Sequence, residues 1–244
     1  TIRQYERAVE SLAEYYRTVE LGLHVVLRER QLEPHRYAAR EGDYGAIVFG
    51  SDHGLCGRFN EDVVDYFLEH RTQDAATARR HHLIAVGARG AMQLEAADCT
   101  LDETFWVPGS AARITATVQQ ILQTVDDWQR EQGVERVFLY HNMPTDEGHY
   151  RPTSMQLLPI DTHRFRHLQH EPWPSRRLPT HSMDSDALLA ALLRQYFFIT
   201  LFRACAQSQA SEHASRLAAM QSAERNIDER LEDETAHYRR VRQD

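Results

Sequence analysis

From Asp184 to Asp244 the chain contains neither glycine nor proline. A helix of about 60 residues rising 1.5 Å each would reach roughly 90 Å, far longer than a globular core can cover. No other segment constrains the architecture as much. Its apolar residues lie on one stripe: Leu189, Leu192, Tyr196 and Ile199, then the small Ala206 and Ala210, then Leu217, Met220, Ile227, Leu231, Tyr238 and Val241. Glu224 and Glu234 also take stripe positions, a polar interruption that costs stability and can fix register.

The other end of the chain repeats the pattern. Ile2, Tyr5, Val9, Leu12, Tyr16, Val19, Leu23 and Val26 step alternately by three and four residues. That 3.5-residue period marks a coiled-coil seam more than an ordinary surface helix. Gly22 is its one weak spot, and Pro34 sets the latest plausible end. A long helix packed only on its own domain remains the plainer reading. Two seams of matching period favour an antiparallel coiled coil, with Leu12 and Leu231 as seam residues whose replacement by Asp would splay the arms.

Between the arms the period changes. Gly45–Gly50 and Leu83–Gly87 are short apolar runs ending in glycine, as buried parallel strands are; Val134–His141 and Thr153–Ile160 also read as strands, and Phe105–Val107 as a short edge piece. Asn60 is a good N-cap for a helix with Glu61 and Asp62 in its first turn and Val63, Val64, Phe67 and Leu68 facing inward. A second helix starts near Ser110 and presents Ile114, Val118, Ile121, Val125 and Trp128. The expected fold is α/β, an open, mostly parallel, Rossmann-like sheet with helices, flanked by the two long helices. The boundaries are 1–33 for the N-terminal helix, 42–180 for the α/β domain and 184–244 for the C-terminal helix. Residues 161–180, rich in Pro, His and Arg, read as an irregular connection.

The chemistry that this chain can carry is limited by what it lacks. All 28 basic residues are Arg, against 36 Asp+Glu, for a net charge of −8. Without Lys there is no Walker-type phosphate loop, no Schiff base and no Lys general base. The acidic balance argues against nucleic acid as a partner. Cys56, Cys99 and Cys205 lie far apart and form no CxxC pair, which favours a reducing cytoplasm and speaks against zinc. No unbroken apolar run approaches a bilayer span. Thr1 to Arg7 is no signal peptide, and a chain beginning at Thr1 reads as a fragment or a processed form.

One loop invites a functional reading: Ser51-Asp52-His53-Gly54-Leu55-Cys56-Gly57-Arg58-Phe59-Asn60. A glycine-bearing turn from strand to helix is where α/β folds bind anions, so a nucleotide phosphate near Gly57 is one reading. The GxGxxG spacing is absent, and Arg58 substitutes poorly for Lys. Ser51, Asp52 and His53 hold the letters of a hydrolytic triad, but three consecutive residues do not normally converge. Cys56 reads as a small packed hydrophobe. His163, His167 and His170, or His81 and His82, could suggest a metal, yet no carboxylate spacing accompanies them and surface histidines are the plainer reading. The run 228–234 reads as a solvated helix face with Arg225 and Arg230 as local partners. No catalytic, metal or cofactor site emerges.

This loop and the two arms resemble the gamma subunit of F-type ATP synthases. The family pattern Ser-Asp-(Arg/Lys)-Gly-Leu-Cys-Gly-(small)-(aromatic or Leu)-Asn is matched at Ser51, Asp52, Gly54, Leu55, Cys56, Gly57, Phe59 and Asn60. Leu157-Leu158-Pro159-Ile160 is a second match. The third is Leu192-Leu193-Arg194-Gln195-Tyr196 with Ser211-Glu212-His213-Ala214-Ser215-Arg216-Leu217-Ala218-Ala219-Met220, similar to Ser-Glu-x-x-Ala-Arg-x-x-Ala-Met. His53 departs from the usual basic residue, Arg58 from a small one and Ser215 from Ala. Thr180–Asp184 stands where a Tyr-Glu-Pro-like turn is usual, so no rotor-ring contact residues carry over.

The resemblance implies a central stalk turned by a proton- or sodium-driven membrane ring. That stalk drives the catalytic alpha/beta ring through its states while itself holding no catalytic residue and no cofactor. It implies alpha, beta, epsilon and c-ring subunits as partners, and a peripheral place on the cytoplasmic face of a bacterial inner membrane. Arg216, Met220 and Glu224 then become candidates for contact with neighbours, with Leu12 and Leu231 in the shaft. The family's basic N-terminal extension and C-terminal tip have no counterpart here, which suggests a divergent branch without its shaft tip. The competing readings are a stand-alone α/β nucleotide-binding protein or enzyme using the Ser51–Asn60 loop, and an unrelated coiled-coil scaffold.

Overall fold

A computed structural model describes residues 2–29, 43–74, 80–145, 149–160 and 181–242. In chain order these form α1 (Ile2–Glu29), β1 (Asp43–Phe49), α2 (Phe59–Asp74), β2 (His81–Val86), α3 (Ala88–Ala96), β3 (Glu103–Phe105), α4 (Ile114–Asp127), β4 (Val134–Pro144), β5 (Tyr150–Leu158) and α5 (Ser185–Val241). The expected irregular connection at 161–180 and His163, His167 and His170 lie outside the described residues.

The five strands follow the order β3-β2-β1-β4-β5. β3, β2, β1 and β4 run parallel, and β5 closes the edge antiparallel to β4. β1 sits at the centre with residues 44–49 all buried, which is why its sequence is apolar without alternation. Each strand face has its own helix layer. On one, α2 and α3 bring Val63, Val64, Phe67, Ala91 and Leu94 against Tyr44, Ala46, Val48 and Tyr140. On the other, α4 lays Ile114, Val118, Ile121 and Val125 over Ile47, Ile84 and Leu139. That α4 stripe, with Trp128, is the one the periodicity predicts, and all five residues are at most 4% exposed. The short helix α3 is absent from the sequence reading. It spans nine residues, only three of them buried, too few to declare a period.

α5 begins at Asp184, whose carboxylate accepts from the backbone N–H groups of Asp186 and Ala187. It runs 57 residues, crosses the sheet against β4 and packs along α1. The two helices are antiparallel: Gly22 meets Leu192, Tyr15 donates to Gln195 at 2.8 Å, and Tyr5 stacks on His213. Gly22, read as a weak spot, is a point of closest approach. A Cβ there would fall 2.7 Å from Leu192 Cδ2, so a larger residue at 22 would require the Leu192 side chain to shift. Val19, Leu23, Tyr196 and Ile199 form the buried heart of this seam.

The distal seam behaves differently from expectation. α1 reaches only as far as His213, so Leu217, Met220, Ile227, Leu231, Tyr238 and Val241 are 49–65% exposed and have no facing helix among the described residues. Leu12 and Leu231 therefore do not share a seam; Leu12 packs partly buried in the proximal one. Nor do Arg225 and Arg230 form ion pairs with the acidic run among the described residues. One further expectation is corrected. An 18-residue window of α5 reaches a mean hydropathy of 1.4, long and apolar enough by composition to cross a membrane. Counting unbroken apolar runs misses it because such a window can hold isolated charges, and 39% of it is buried inside the protein.

Candidate functional site

The Ser51–Asn60 loop leaves β1 at its C-terminal end, and the chain's own groups fill it. The Ser51 N–H donates to Asn60 Oδ1 at 2.9 Å, and Asn60 Nδ2 donates back to Ser51 Oγ at 2.9 Å. Ser51 Oγ in turn donates to the His53 carbonyl at 2.9 Å. Cys56 Sγ lies 3.6 Å from Ser51 Oγ, and Ser51, Cys56 and Asn60 are all buried. The letters of a triad are thus spent on backbone. Ser51 bonds the carbonyl of His53 and not its ring, so no proton relay exists among these residues.

Asp52 ties three strand ends together. One carboxylate oxygen accepts from Ala88 N–H and the other from Val107 N–H, each at 3.0 Å. The first contact caps α3, where unpaired N–H groups and the positive end of the helix favour a carboxylate. Beside it Gly87 adopts φ 105, and a Cβ there would lie 2.8 Å from the backbone of Gly50 and Ser51. Only glycine permits that crossing. Apolar runs ending in glycine at 50 and 87 are its signal in the sequence.

The opposite side of the loop faces α5. Ser215 Oγ donates to the Cys56 carbonyl at 2.6 Å. Arg216 donates from Nε to the Gly54 carbonyl at 3.3 Å and from Nη2 to the His53 carbonyl at 3.2 Å, and it pairs with Glu212 at 2.6 Å. Leu55 and Gly57, at φ 62 and 60, give the loop the bends of this short turn. Below it, Asn142 Nδ2 donates to the Phe59 carbonyl at 2.8 Å while Ser211 Oγ donates to the Asn142 carbonyl at 3.1 Å. One polar seam therefore joins α5 to the ends of β1 and β4.

Electrostatics follow burial. Glu212 is 5% exposed, and burial raises its carboxyl above the usual range, although Arg216 opposes the shift. Tyr150 donates to Asp62 at 2.8 Å, and burial first of all pushes its phenol well above the ordinary value. Arg58 reaches Asp62 and Asp65 from an exposed position, where an ion pair contributes little. The groups that the loop turns toward α5 are carbonyl oxygens, which repel phosphate, and the Ser51 and Phe59 N–H groups are used inside the loop. The face that meets α5 therefore offers no phosphate cradle. What it can do is hold a helix and a sheet in one fixed relation.

Ser51, Asp52, Gly54, Cys56, Gly57 and Asn60 come together in this junction with Arg216, which points inward to the loop carbonyls. Leu55 is 74% exposed at the loop tip. Met220, Glu224 and Leu231 sit further along α5 with their side chains exposed, and Leu12 belongs to the α1 seam. Sequence reasoning misses Asn142 and Tyr150. Each works through a long-range contact that no local pattern marks.

Comparison with known proteins agrees with this architecture. The family model described as ATP synthase matches residues 1–244. The ATP synthase gamma chain of Anaeromyxobacter dehalogenans is 29% identical over 207 residues, which cover 81% of this chain and 66% of that one. This chain thus spans just under two thirds of that relative. The ATP synthase gamma chain of Nitratiruptor is 24% identical over 250 residues, covering 98% and 83%. Among solved structures, a chain from the central stalk and c-ring of the Tetrahymena thermophila mitochondrial ATP synthase superposes with a TM-score of 0.60 at 18% identity, covering 91% of this chain and 95% of that one. A chain from the rotor of the Euglena gracilis mitochondrial ATP synthase gives 0.58 at 16%, covering 100% and 98%. At these identities the structures speak for the fold, and the family model speaks for descent. The chain belongs to the ATP synthase gamma family.

Proposed function

We propose that this chain is the central-stalk rotor subunit of an F-type ATP synthase. It passes torque between a proton- or sodium-driven ring of c subunits and the catalytic ring of alpha and beta subunits. The observation that carries this reading is the junction of Ser215 and Arg216 with the 51–60 loop, continued by Ser211 on the Asn142 carbonyl of β4. It fixes a 57-residue helix, about 85 Å long at 1.5 Å per residue, to a packed α/β layer. Force applied to either part reaches the other through bonded contacts and not through a flexible linker.

In this role the α/β body, 42–180, is a collar that also docks the epsilon subunit. The helices 1–33 and 184–244 are the shaft, with Met220, Glu224 and Leu231 on the face that meets the alpha/beta ring or a further helix. The subunit supplies no catalytic residue, needs no cofactor or metal and sits peripherally on the cytoplasmic face of a bacterial inner membrane through its partners.

The test is reconstitution of the full-length protein with alpha, beta and epsilon subunits. The expected result is a stable assembly whose ATP hydrolysis drives rotation of a probe fixed to the collar. Failure to assemble would count decisively against the rotor role. Nucleotide titration of the isolated chain adds a second check, since micromolar ATP binding would support a loop-centred enzyme instead.

A further inference from the structure

A second polar contact joins α5 to the sheet about two helical turns from the loop junction, and it is built around a histidine. His141 on β4 is 2% exposed, and its Nε2 lies 3.0 Å from Gln207 Oε1 on α5. Burial holds the imidazole neutral, with Arg203 adding to the shift, so that its pKa falls to about 4. Since Gln207 Oε1 can only accept, Nε2 carries the proton, and Nδ1 is left as an acceptor. Nδ1 is buried and has no hydrogen-bond partner among the described residues. A buried acceptor left unmet costs free energy, and native proteins rarely tolerate one.

The ring borders a small cavity of about 20 Å³ lined by Tyr16, Met155, Ile199, Thr200, Arg203 and Gln207, among others. That volume exceeds the roughly 10–15 Å³ that one water needs and is far too small for a larger ligand. The wall supplies a second acceptor. Thr200 Oγ1 spends its proton on the Tyr196 carbonyl at 2.8 Å, so its oxygen lone pairs remain to accept. Tyr16 and Arg203 line the same cavity.

We infer that the cavity between α1, β4, β5 and α5 is a binding site for one internal water, which donates to His141 Nδ1 and to Thr200 Oγ1. The water completes the hydrogen bonding of a histidine whose other nitrogen is pinned by Gln207. Together they fix the register of α5 on β4 by a directional contact, which the small apolar residues Ala204, Ala206 and Ala210 alone would not supply.

The test is oxygen-17 and deuterium relaxation dispersion of the solvent on the whole chain, which counts waters that exchange slowly from the interior. His141→Phe keeps the ring and removes the acceptor; Thr200→Val keeps the shape and removes the other. Each variant is expected to lose one long-lived water relative to the parent while retaining its far-UV circular dichroism. If His141→Phe fails to fold, Thr200→Val carries the measurement alone. An unchanged dispersion amplitude in either folded variant would overturn the assignment, as would a parent whose interior shows no slowly exchanging water.

Discussion

The two halves of α5 share one unbroken helix and one apolar stripe, yet they live in different surroundings. From Tyr196 to Glu212 most side chains are buried, small residues included, because α1 lies on one side and β4 on the other. From residue 221 to 242 every residue is exposed. The proximal half owes its helicity to packing. The distal half relies on propensity and local pairs, which sustain an isolated helix only marginally. The same heptad letters therefore mean a satisfied interface in one place and an unmet one in the other, and period alone does not distinguish them.

The largest predicted difference comes from placing a charge in the proximal seam. Ile199 is 1% exposed between α1 and the sheet. Ile199→Asp buries an unpaired carboxylate and removes apolar contact, with an expected loss of about 4 kcal/mol or more, enough to unfold many domains. Urea denaturation would measure it. A loss under about 1 kcal/mol would show that the proximal half is no better packed than the distal one.

Acid should act next, through His141. Its pKa falls from 6.5 in the unfolded chain to about 4 in the folded one, so the unfolded state binds more protons in that window. The stability that depends on the neutral ring is full above pH 6.5 and is lost as pH falls toward 4. It amounts to about 3 kcal/mol by linkage. His141→Phe should flatten that part of the pH profile. Glu212 works in the opposite sense. Its raised pKa favours the protonated form in the folded state, so its contribution is present at low pH and declines as pH rises through the folded value.

Arg216→Ala comes third, because it strips the partner from a carboxyl that is 5% exposed and frees the His53 and Gly54 carbonyls. A loss of about 2–3 kcal/mol is expected, less than for a fully buried pair because the Arg216 side chain is itself 18% exposed. Ser215→Ala removes one short bond to the Cys56 carbonyl and should cost about 1 kcal/mol. It also restores the alanine usual in the family pattern, so this hydroxyl is an addition to the junction and not its foundation. His53, the other departure beside it, accepts from Arg216 through its backbone carbonyl, a bond that does not depend on which side chain stands there.

These residues show what the sequence makes legible and what it does not. Strands β1 and β2 and the α4 stripe follow from apolar runs and a 3.6 period, because their environment is uniform along each element. The loop 51–60 is legible as special through its glycines and Asn60. Its partner is not, because the groups that bond its carbonyls, on Ser215 and Arg216, lie more than 150 residues away and become neighbours only when α5 crosses the sheet. Asn142 and His141 read as strand residues. Nothing local reveals that one clamps a carbonyl and the other borders a cavity. The nine-residue α3 escapes because a helix shorter than three turns has no period to detect.

The smallest expected effect is the one that most sharpens the comparison. Leu231 is 65% exposed, so Leu231→Asp removes almost no buried surface and adds a charge beside Glu232 and Asp233. In the isolated chain the change should fall within about 0.5 kcal/mol, with only a slight loss of helicity from local repulsion. If the distal stripe is a shaft surface awaiting a partner, the same substitution must become costly in the assembled complex. There an aspartate would sit in a desolvated apolar contact, and loss of assembly or of rotation would follow at subunit concentrations that support the parent. Equal behaviour of parent and variant in both settings would mean that the distal stripe meets nothing. A large destabilisation already in the isolated chain would instead mean that the stripe is covered within this chain and that the two halves of α5 are not different in kind.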